Sequence, residues 1–210
     1  MSIESFEPIH PERTTNEMAK TQKNVMIVIG SPRKRGNSSI LAKQVASGAK
    51  DAGATVEVFF LHDMNIKPCN ACDGCRKKRG IGCVIRDDMQ KLYPKMRAAD
   101  AIVIASPIYW FTVSAQTKLF MDRWYAFGAD ENYKVLAETK FGIVLSYADA
   151  DPFSSGAVNA LRTFQDAFNY LGAEVVGTVY GSAWKAGEIS KNKPVMKQAY
   201  ALGEKIATMS

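Results

Sequence analysis

The spacing of hydrophobic residues changes several times along the chain, and each change predicts an element. Residues 25–29, Val25-Met26-Ile27-Val28-Ile29, form a short continuous apolar run that stops at Gly30. Such a run predicts a strand covered on both faces. Residues 38–52 then place Ile40, Leu41, Val45 and Ala49 on one helical face, with Gly53 as the stop. Residues 55–61 predict a second strand. Residues 62–86 form the longest stretch without a period, and a loop of that length inside a domain is usually functional. Asp87 or Asp88 caps an expected helix that runs to about residue 98. Strands are expected at 101–105, 141–145 and 174–180. Helices are expected at 113–127, carrying Leu119, Phe120 and Met121, at 154–171, opened by Ser154-Ser155-Gly156, and at 194–209.

Alternation of this kind predicts an α/β fold: a doubly wound, five-stranded parallel sheet with helices on both faces. Ligands of such sheets bind beyond the carboxyl ends of the strands, where strand order reverses. Residues 30–39, 106–113, 146–156 and the 62–86 loop are therefore the places to look. The 210 residues suit one domain, expected over 24–210, with the polar and aperiodic residues 1–23 as an arm or extension.

Composition narrows the picture without changing it. Hydrophobic residues make up 47% and charged residues 23%, an ordinary globular balance. The first 23 residues carry no signal-like apolar stretch, and the longest apolar runs are strand-sized. A soluble, cytoplasmic protein without a membrane segment is the expectation. The net charge of +6 concentrates at Arg33-Lys34-Arg35 and Arg76-Lys77-Lys78-Arg79. Such runs attract phosphate groups or acidic partners, or are simply solvated. No nucleic-acid module accompanies them, so no nucleic-acid partner is expected. His10 and His62 sit in no motif, and neither a Ser-His-Asp nor a metal-hydrolase pattern is present.

Three segments carry candidate chemistry. The first is Gly30-Ser31-Pro32-Arg33-Lys34-Arg35-Gly36-Asn37-Ser38-Ser39, between the first strand and the first helix. A helix start offers free N–H groups and partial positive charge, and this one adds hydroxyls, an amide and cations, the donors of a phosphate site. It is neither a Walker A loop nor a G-x-G-x-x-G fingerprint. A plain N-cap at Asn37 or Ser38 accounts for one of these residues, not for the set. The second segment is Ser106-Pro107-Ile108-Tyr109-Trp110-Phe111. Core packing uses one or two of three adjacent aromatics; the alternative is a wall for a flat aromatic ring. The third is the run Cys69, Cys72, Cys75 and Cys83, a C-x2-C-x2-C-x7-C pattern. Structural zinc sites usually use two separated pairs, and a disulfide is disfavoured in a reducing compartment. A cubane cluster or free thiols on a lid loop remain, and Pro68 and Gly74 favour the tight turn a small cluster needs.

With these motifs in view, the chain resembles the NAD(P)H-dependent FMN reductase family of the flavodoxin-like superfamily. Gly-Ser-Pro-Arg-x-x-Gly-Asn-Ser and Ser-Pro-Ile-Tyr-Trp-Phe-x-Val-Ser-Ala-x-x-Lys carry the resemblance, which spans about residues 25–205. It implies an FMN-dependent oxidoreductase that takes hydride from NADPH or NADH and passes electrons to a small-molecule or protein acceptor. Ser31, Arg33, Asn37, Ser38 and Ser39 would hold the FMN phosphate. Pro107, Ile108, Tyr109, Trp110 and Phe111 would lie along the isoalloxazine ring, and Ser146 and Tyr147 would complete its pocket. The cysteine run is similar to that of the iron–sulfur flavoprotein branch, where it ligates a [4Fe–4S] cluster. On that resemblance Cys69, Cys72, Cys75 and Cys83 would be the ligands, and electron transfer with a ferredoxin becomes an alternative to direct NAD(P)H activity. The Arg76–Arg79 run would meet a nicotinamide phosphate or an acidic ferredoxin. A homodimer or homotetramer is implied too, with Trp124, Tyr125 and the arm at the contact.

Overall fold

Five consecutive apolar residues leave β1 (Asn24–Ile29) nothing to offer water, and it takes the position where both faces and both edges are covered. It pairs in parallel with β2 (Thr55–Phe60) on one side and β3 (Ala101–Tyr109) on the other. The two-residue β4 (Thr112–Val113) turns back antiparallel on the end of β3. With β5 (Lys140–Tyr147) and β6 (Glu174–Ser182), the parallel strands stand in the order β2-β1-β3-β5-β6. The computed structural model describes residues 22–77, 82–129 and 133–209, so nearly all of the expected arm, residues 1–23, lies outside the described residues, as does His10.

Alternating side chains of the central strands point to opposite faces, and each face has its own helices. Ile27, Ile29 and Val103 pack with Leu41 and Val45 of α1 (Asn37–Asp51) and with Leu202 and Ile206 of α7 (Lys193–Thr208). Met26, Val28, Ile102 and Ile104 face α3 (Met89–Ala98), α4 (Ala115–Asp122) and α6 (Ala157–Leu171) through Leu92, Met96, Phe120 and Phe164. The short helices α2 (Gly74–Lys77) and α5 (Lys134–Glu138) lie in the connections. The expected doubly wound, five-stranded parallel sheet is present. Among the described residues no helix is long and apolar enough to cross a membrane.

Two expected boundaries fail for local reasons. The helix expected over 113–127 is broken in two: Thr112–Val113 pairs with β3, α4 begins only after Ser114, and residues 123–129 tighten into a 3₁₀ helix. Ser114 forces the start by accepting the Thr117 N–H with its hydroxyl. The helix expected from Ser154 begins instead at Ala157. Asp151 accepts the N–H groups of Phe153 and Ser154 in a turn, and Gly156 follows at φ +74°, which no helix accommodates. The 62–86 loop also holds more structure than its sequence suggests, with a 3₁₀ turn at Leu61–Asp63 and α2 among the cysteines.

Helices α1 and α7 touch backbone to backbone. A Cβ on Gly48 would stand 2.1 Å from the Tyr200 carbonyl oxygen, and one on Gly203 would stand 2.1 Å from that of Val45. The two glycines therefore set the helix separation, and any side chain must push the helices apart. Gly203→Ala is expected to destabilise the protein by about 1–3 kcal/mol, the usual cost of overpacking. A urea unfolding midpoint unchanged by that substitution would contradict the close approach.

Candidate active site

The chain leaves β1 for one face of the sheet and leaves β3 for the other, so a cleft opens between the two loops. At its floor Ser31 and Ser39 shape the first loop. Ser31 Oγ accepts the Arg33 N–H at 3.1 Å, and Ser39 Oγ donates to the Arg33 carbonyl at 2.8 Å. Arg33 itself is exposed at the rim. The Asn37 side chain is spent elsewhere: Nδ2 donates to the carbonyls of Ala183 and Lys185, both at 3.1 Å, and Oδ1 accepts the Ile189 N–H at 3.3 Å. Asn37 thus buckles the start of α1 to the turn after β6. Ser38 is fully buried, and its Oγ has no hydrogen-bond partner among the described residues. Gly36 at the N-cap brings no side-chain acceptor, and the first turn of α1 holds no acidic residue. An uncapped helix start with a buried, unspent hydroxyl fits an anionic phosphate, since leaving such a group unpaired costs about 1–3 kcal/mol.

The second loop is a tight hairpin. Trp110 and Phe111 take φ of 47° and 66°, the left-handed pair that a two-residue hairpin turn demands, though neither is a glycine. Backbone held this way costs of order 1–3 kcal/mol per residue and persists only where neighbours enforce it. Here α6 enforces it. Asn159 Nδ2 donates to the Phe111 carbonyl at 3.1 Å, and a Cβ on Gly156 would stand 2.5 Å from the Phe111 Cα. From below, Ser106 Oγ accepts the Ser114 N–H at 3.0 Å, and Ser114 Oγ donates to the Gly30 carbonyl at 2.8 Å, which joins this loop to the first. Tyr109, Trp110 and Phe111 stay exposed, Trp110 at 92%, so none of the three is core.

Ser146 and Tyr147, at the end of β5, are buried against these loops. Burial, reinforced by the neighbouring Tyr180 and Asp151, pushes the Tyr147 phenol above its ordinary range and keeps it protonated. Tyr147, with Ile108 to Phe111, lines a space of about 480 Å³, the size of an ordinary cofactor cleft. It continues into a narrower space of about 90 Å³ between Ser31, Arg33, Asn37, Ser38, Pro107 and Ser146. The structure thus brings Ser31, Arg33, Asn37, Ser38, Ile108, Tyr109, Trp110, Phe111, Pro107, Ser146 and Tyr147 to one cleft, with Ser39 behind the floor. Trp184 and Ala186, on the turn after β6, complete its wall and were not anticipated. The topological rule could have found them, because that turn also leaves the carboxyl end of a parallel strand. A separate cavity of about 400 Å³ at the opposite end of the sheet contains none of the predicted residues.

The cysteines lie by the 3₁₀ segment that follows α4, where Cys83 Sγ accepts from Arg123. Cys75 and Cys83 are buried, whereas Cys69 and Cys72 are exposed, and all four are free thiols. Burial first, then the neighbouring Cys83, with Cys72 and Cys69 behind it, pushes the Cys75 thiol up. Four thiols on one loop are the donor set of a thiolate-ligated centre. Among the described residues, however, no three His, Cys, Asp or Glu side chains already stand gathered for one metal ion. Arg123 is 1% exposed and ion-paired with the buried side chain of Asp87. Burial opposes the charge on Asp87, but Arg123 and the N–H groups of Lys67 and Met89 hold its carboxyl below the usual range. No sequence pattern marks that pair.

One expectation for this region changes, that for Trp124. The exposed Arg76 guanidinium lies 4.6 Å from the Tyr125 ring centroid and 3.5 Å from the Tyr133 hydroxyl. Lys78 and Arg79 of the same run lie outside the described residues. Trp124 is core rather than a contact surface, 5% exposed and packed edge-on to Phe120. Tyr125 is only partly committed, since its hydroxyl donates to Asp73 at 2.8 Å.

Comparison with known proteins agrees with this geometry. A model of the family described as NADPH-dependent FMN reductase matches residues 23–187. An iron–sulfur flavoprotein of Methanosarcina thermophila is 33% identical over 150 residues, which cover 71% of this chain and 75% of that protein. An iron–sulfur flavoprotein of Archaeoglobus fulgidus is 31% identical over 181 residues, covering 86% of this chain and 77% of the other. Among solved structures, an NAD(P)H:quinone oxidoreductase from Methanothermobacter marburgensis superposes with a TM-score of 0.68 at 18% identity, over 90% of this chain and 99% of that one.

The Asp87–Arg123 pair predicts a pH response. The folded pKa of Asp87 lies below the unfolded value near 3.9, so its stabilisation is complete at neutral pH and lost as the pH falls through about 4 toward the folded value. The melting temperature of the wild type is expected to fall more steeply between roughly pH 5 and 3 than that of Asp87→Asn. At neutral pH that variant, which strands a buried guanidinium, should be less stable by about 3–5 kcal/mol.

Proposed function

The chain belongs to the NADPH-dependent FMN reductase family and is a flavin oxidoreductase, and from that premise we propose that it binds FMN in the cleft described above and exchanges electrons through the four-cysteine loop. The observation that carries the flavin site is the buried Ser38 hydroxyl, unpartnered at an uncapped helix start. Ser38 Oγ and the first-turn N–H groups of α1 would take the phosphate, with Arg33 screening it at the rim. Ser31 and Ser39 hold the loop in that shape, and Asn37 fastens it to the wall that bears Trp184. Tyr109, Trp110 and Phe111 would flank the flat ring, Pro107, Ile108 and Ser146 would offer backbone to its polar edge, and Tyr147 would close the end. Bound FMN supplies hydride acceptance from NAD(P)H and electron delivery to an acceptor; the protein binds, orients and tunes it. No acid–base residue of the chain is needed for that exchange.

Cys69, Cys72, Cys75 and Cys83 are the residues that would hold a [4Fe–4S] cluster. Support comes from the C-x2-C-x2-C-x7-C spacing and from the likeness to the iron–sulfur flavoproteins of Methanosarcina thermophila and Archaeoglobus fulgidus. Free thiols suit a reducing compartment, which is the support for a cytoplasmic location. A cluster would pass electrons singly to or from a protein such as a ferredoxin, whereas the flavin alone serves a small acceptor. The exposed aromatics at the cleft mouth fit a contact with a second copy of the chain, as a homodimer or homotetramer requires.

Ser38→Ala tests the flavin site. Loss of a hydrogen bond to a charged group, about 1.5–3 kcal/mol, is expected to weaken FMN binding tenfold or more. The melting temperature of the apoprotein should not fall, because the hydroxyl has no protein partner to lose. FMN affinity unchanged by the substitution would remove the phosphate from this loop. Anaerobic mixing with NADPH should bleach the flavin; bleaching by reduced ferredoxin alone would make the protein an electron carrier. Protein purified without oxygen is expected to hold about four iron atoms per chain, and none would leave the cysteines as thiols.

A further inference from the structure

Arg123 is among the largest fully buried side chains of the protein, and the flavin cleft makes no use of it. A buried guanidinium is costly unless its N–H groups are paired. Nη1 donates to the Lys67 carbonyl at 2.8 Å and to Asp87 Oδ2, while Nη2 donates to Asp87 Oδ1 and to Cys83 Sγ, both at 3.3 Å. One arm of the fork therefore ends on sulfur. Asp87 is fastened in turn by the N–H groups of Lys67 and Met89, and Tyr93 Oη donates to the Arg123 carbonyl at 3.0 Å. A cation is thus anchored on one side by a carboxylate, so that one Nη2 N–H points at a cysteine of the run, while its buried Nε has no hydrogen-bond partner among the described residues.

We propose that Arg123 is a positioning residue for the cysteine-ligated centre: it fixes Cys83 by a charge-assisted hydrogen bond to its sulfur and thereby favours the reduced, more negative form of that centre. This rests on the reading of Cys69, Cys72, Cys75 and Cys83 as ligands of a cluster. Hydrogen bonds to ligand sulfurs and nearby charge are the terms by which a protein sets a cluster's potential. The Asp87–Arg123 pair has no net charge, so the effect is that of an oriented dipole with its positive edge on the sulfur. Buried as it is, the dipole is little screened by salt. Lysine cannot replace the fork, because one ammonium cannot serve Asp87, Lys67 and Cys83 in their fixed plane.

The test compares the full-length wild type with three variants, all loaded anaerobically and read by iron content, melting temperature and one-electron redox titration of the cluster. Arg123→Met/Asp87→Asn removes both buried charges together, and Arg123→Lys keeps the charge but not the fork. Gln90→Leu is the control: Gln90 Nε2 holds the same loop through the Cys83 and Ile85 carbonyls without touching sulfur. The double variant is expected to shift the reduction equilibrium at least tenfold toward the oxidised form, ~59 mV for one electron. Arg123→Lys should shift it in the same direction, and Gln90→Leu should leave it in place. A folded double variant that loses its iron, beside a Gln90→Leu protein that keeps it, also supports the proposal. Wild-type potentials in both Arg123 variants at full iron content would overturn it while leaving the cluster intact. An equal shift in Gln90→Leu would overturn it too, because loosening the loop would then suffice. A wild type that takes up no iron overturns the cluster reading first, and this proposal with it.

Discussion

Parallel pairing of β1 on both of its edges is the constraint from which the cleft follows. A strand held between β2 and β3 has no free edge, and its apolar run has no face to give to water. The chain must therefore leave its carboxyl end over the top of the sheet. The helix after β1 packs on one face and the helix after β3 on the other, because each covers a different set of alternating side chains. Diverging exits leave a gap, and the gap is where the phosphate loop and the aromatic hairpin meet.

That gap is held to a fixed shape by polar groups that never face a ligand. Ser114 binds the Gly30 carbonyl, Ser106 binds the Ser114 N–H, and Asn37 reaches the turn after β6. Buried hydrogen bonds of this kind matter less for their net stabilisation than for the cost of breaking them, since a partner left behind is unsatisfied. They also explain how two aromatic residues stay in left-handed backbone at the hairpin tip. Gly156 and Asn159 leave Phe111 no room to relax. A second rigid unit, built on the Asp87–Arg123 pair, fixes part of the cysteine loop against the 3₁₀ turn after α4. The protein therefore carries two regions held by buried polar groups, the cleft between the first two loops and the Asp87–Arg123 pair at Cys83.

Periodicity placed the strands and most helices correctly because those elements bury one face or two, and burial writes itself into residue spacing. The Gly30–Ser39 and Ser106–Phe111 motifs were readable for a related reason: backbone geometry at a strand end admits few residue types. Failures came where a single hydrogen bond outweighed a pattern. Leu119, Phe120 and Met121 kept a helical rhythm across Ser114, yet the serine hydroxyl set the helix start. The position of Asn37 in the motif did not show that its side-chain amide reaches partners 146 and 148 residues away.

By itself, the sequence determined the doubly wound sheet, the loops in which a ligand is sought, and the four thiols, because each rests on local spacing. Tertiary structure alone decided which polar residues in those loops are free for a ligand. It left the Ser38 hydroxyl unspent and spent Asn37, and it buried Arg123 beside Asp87 and Cys83. The physical reason is that a polar side chain has few hydrogen bonds to give, and whether they go to the protein or to a ligand depends on groups far away in the chain.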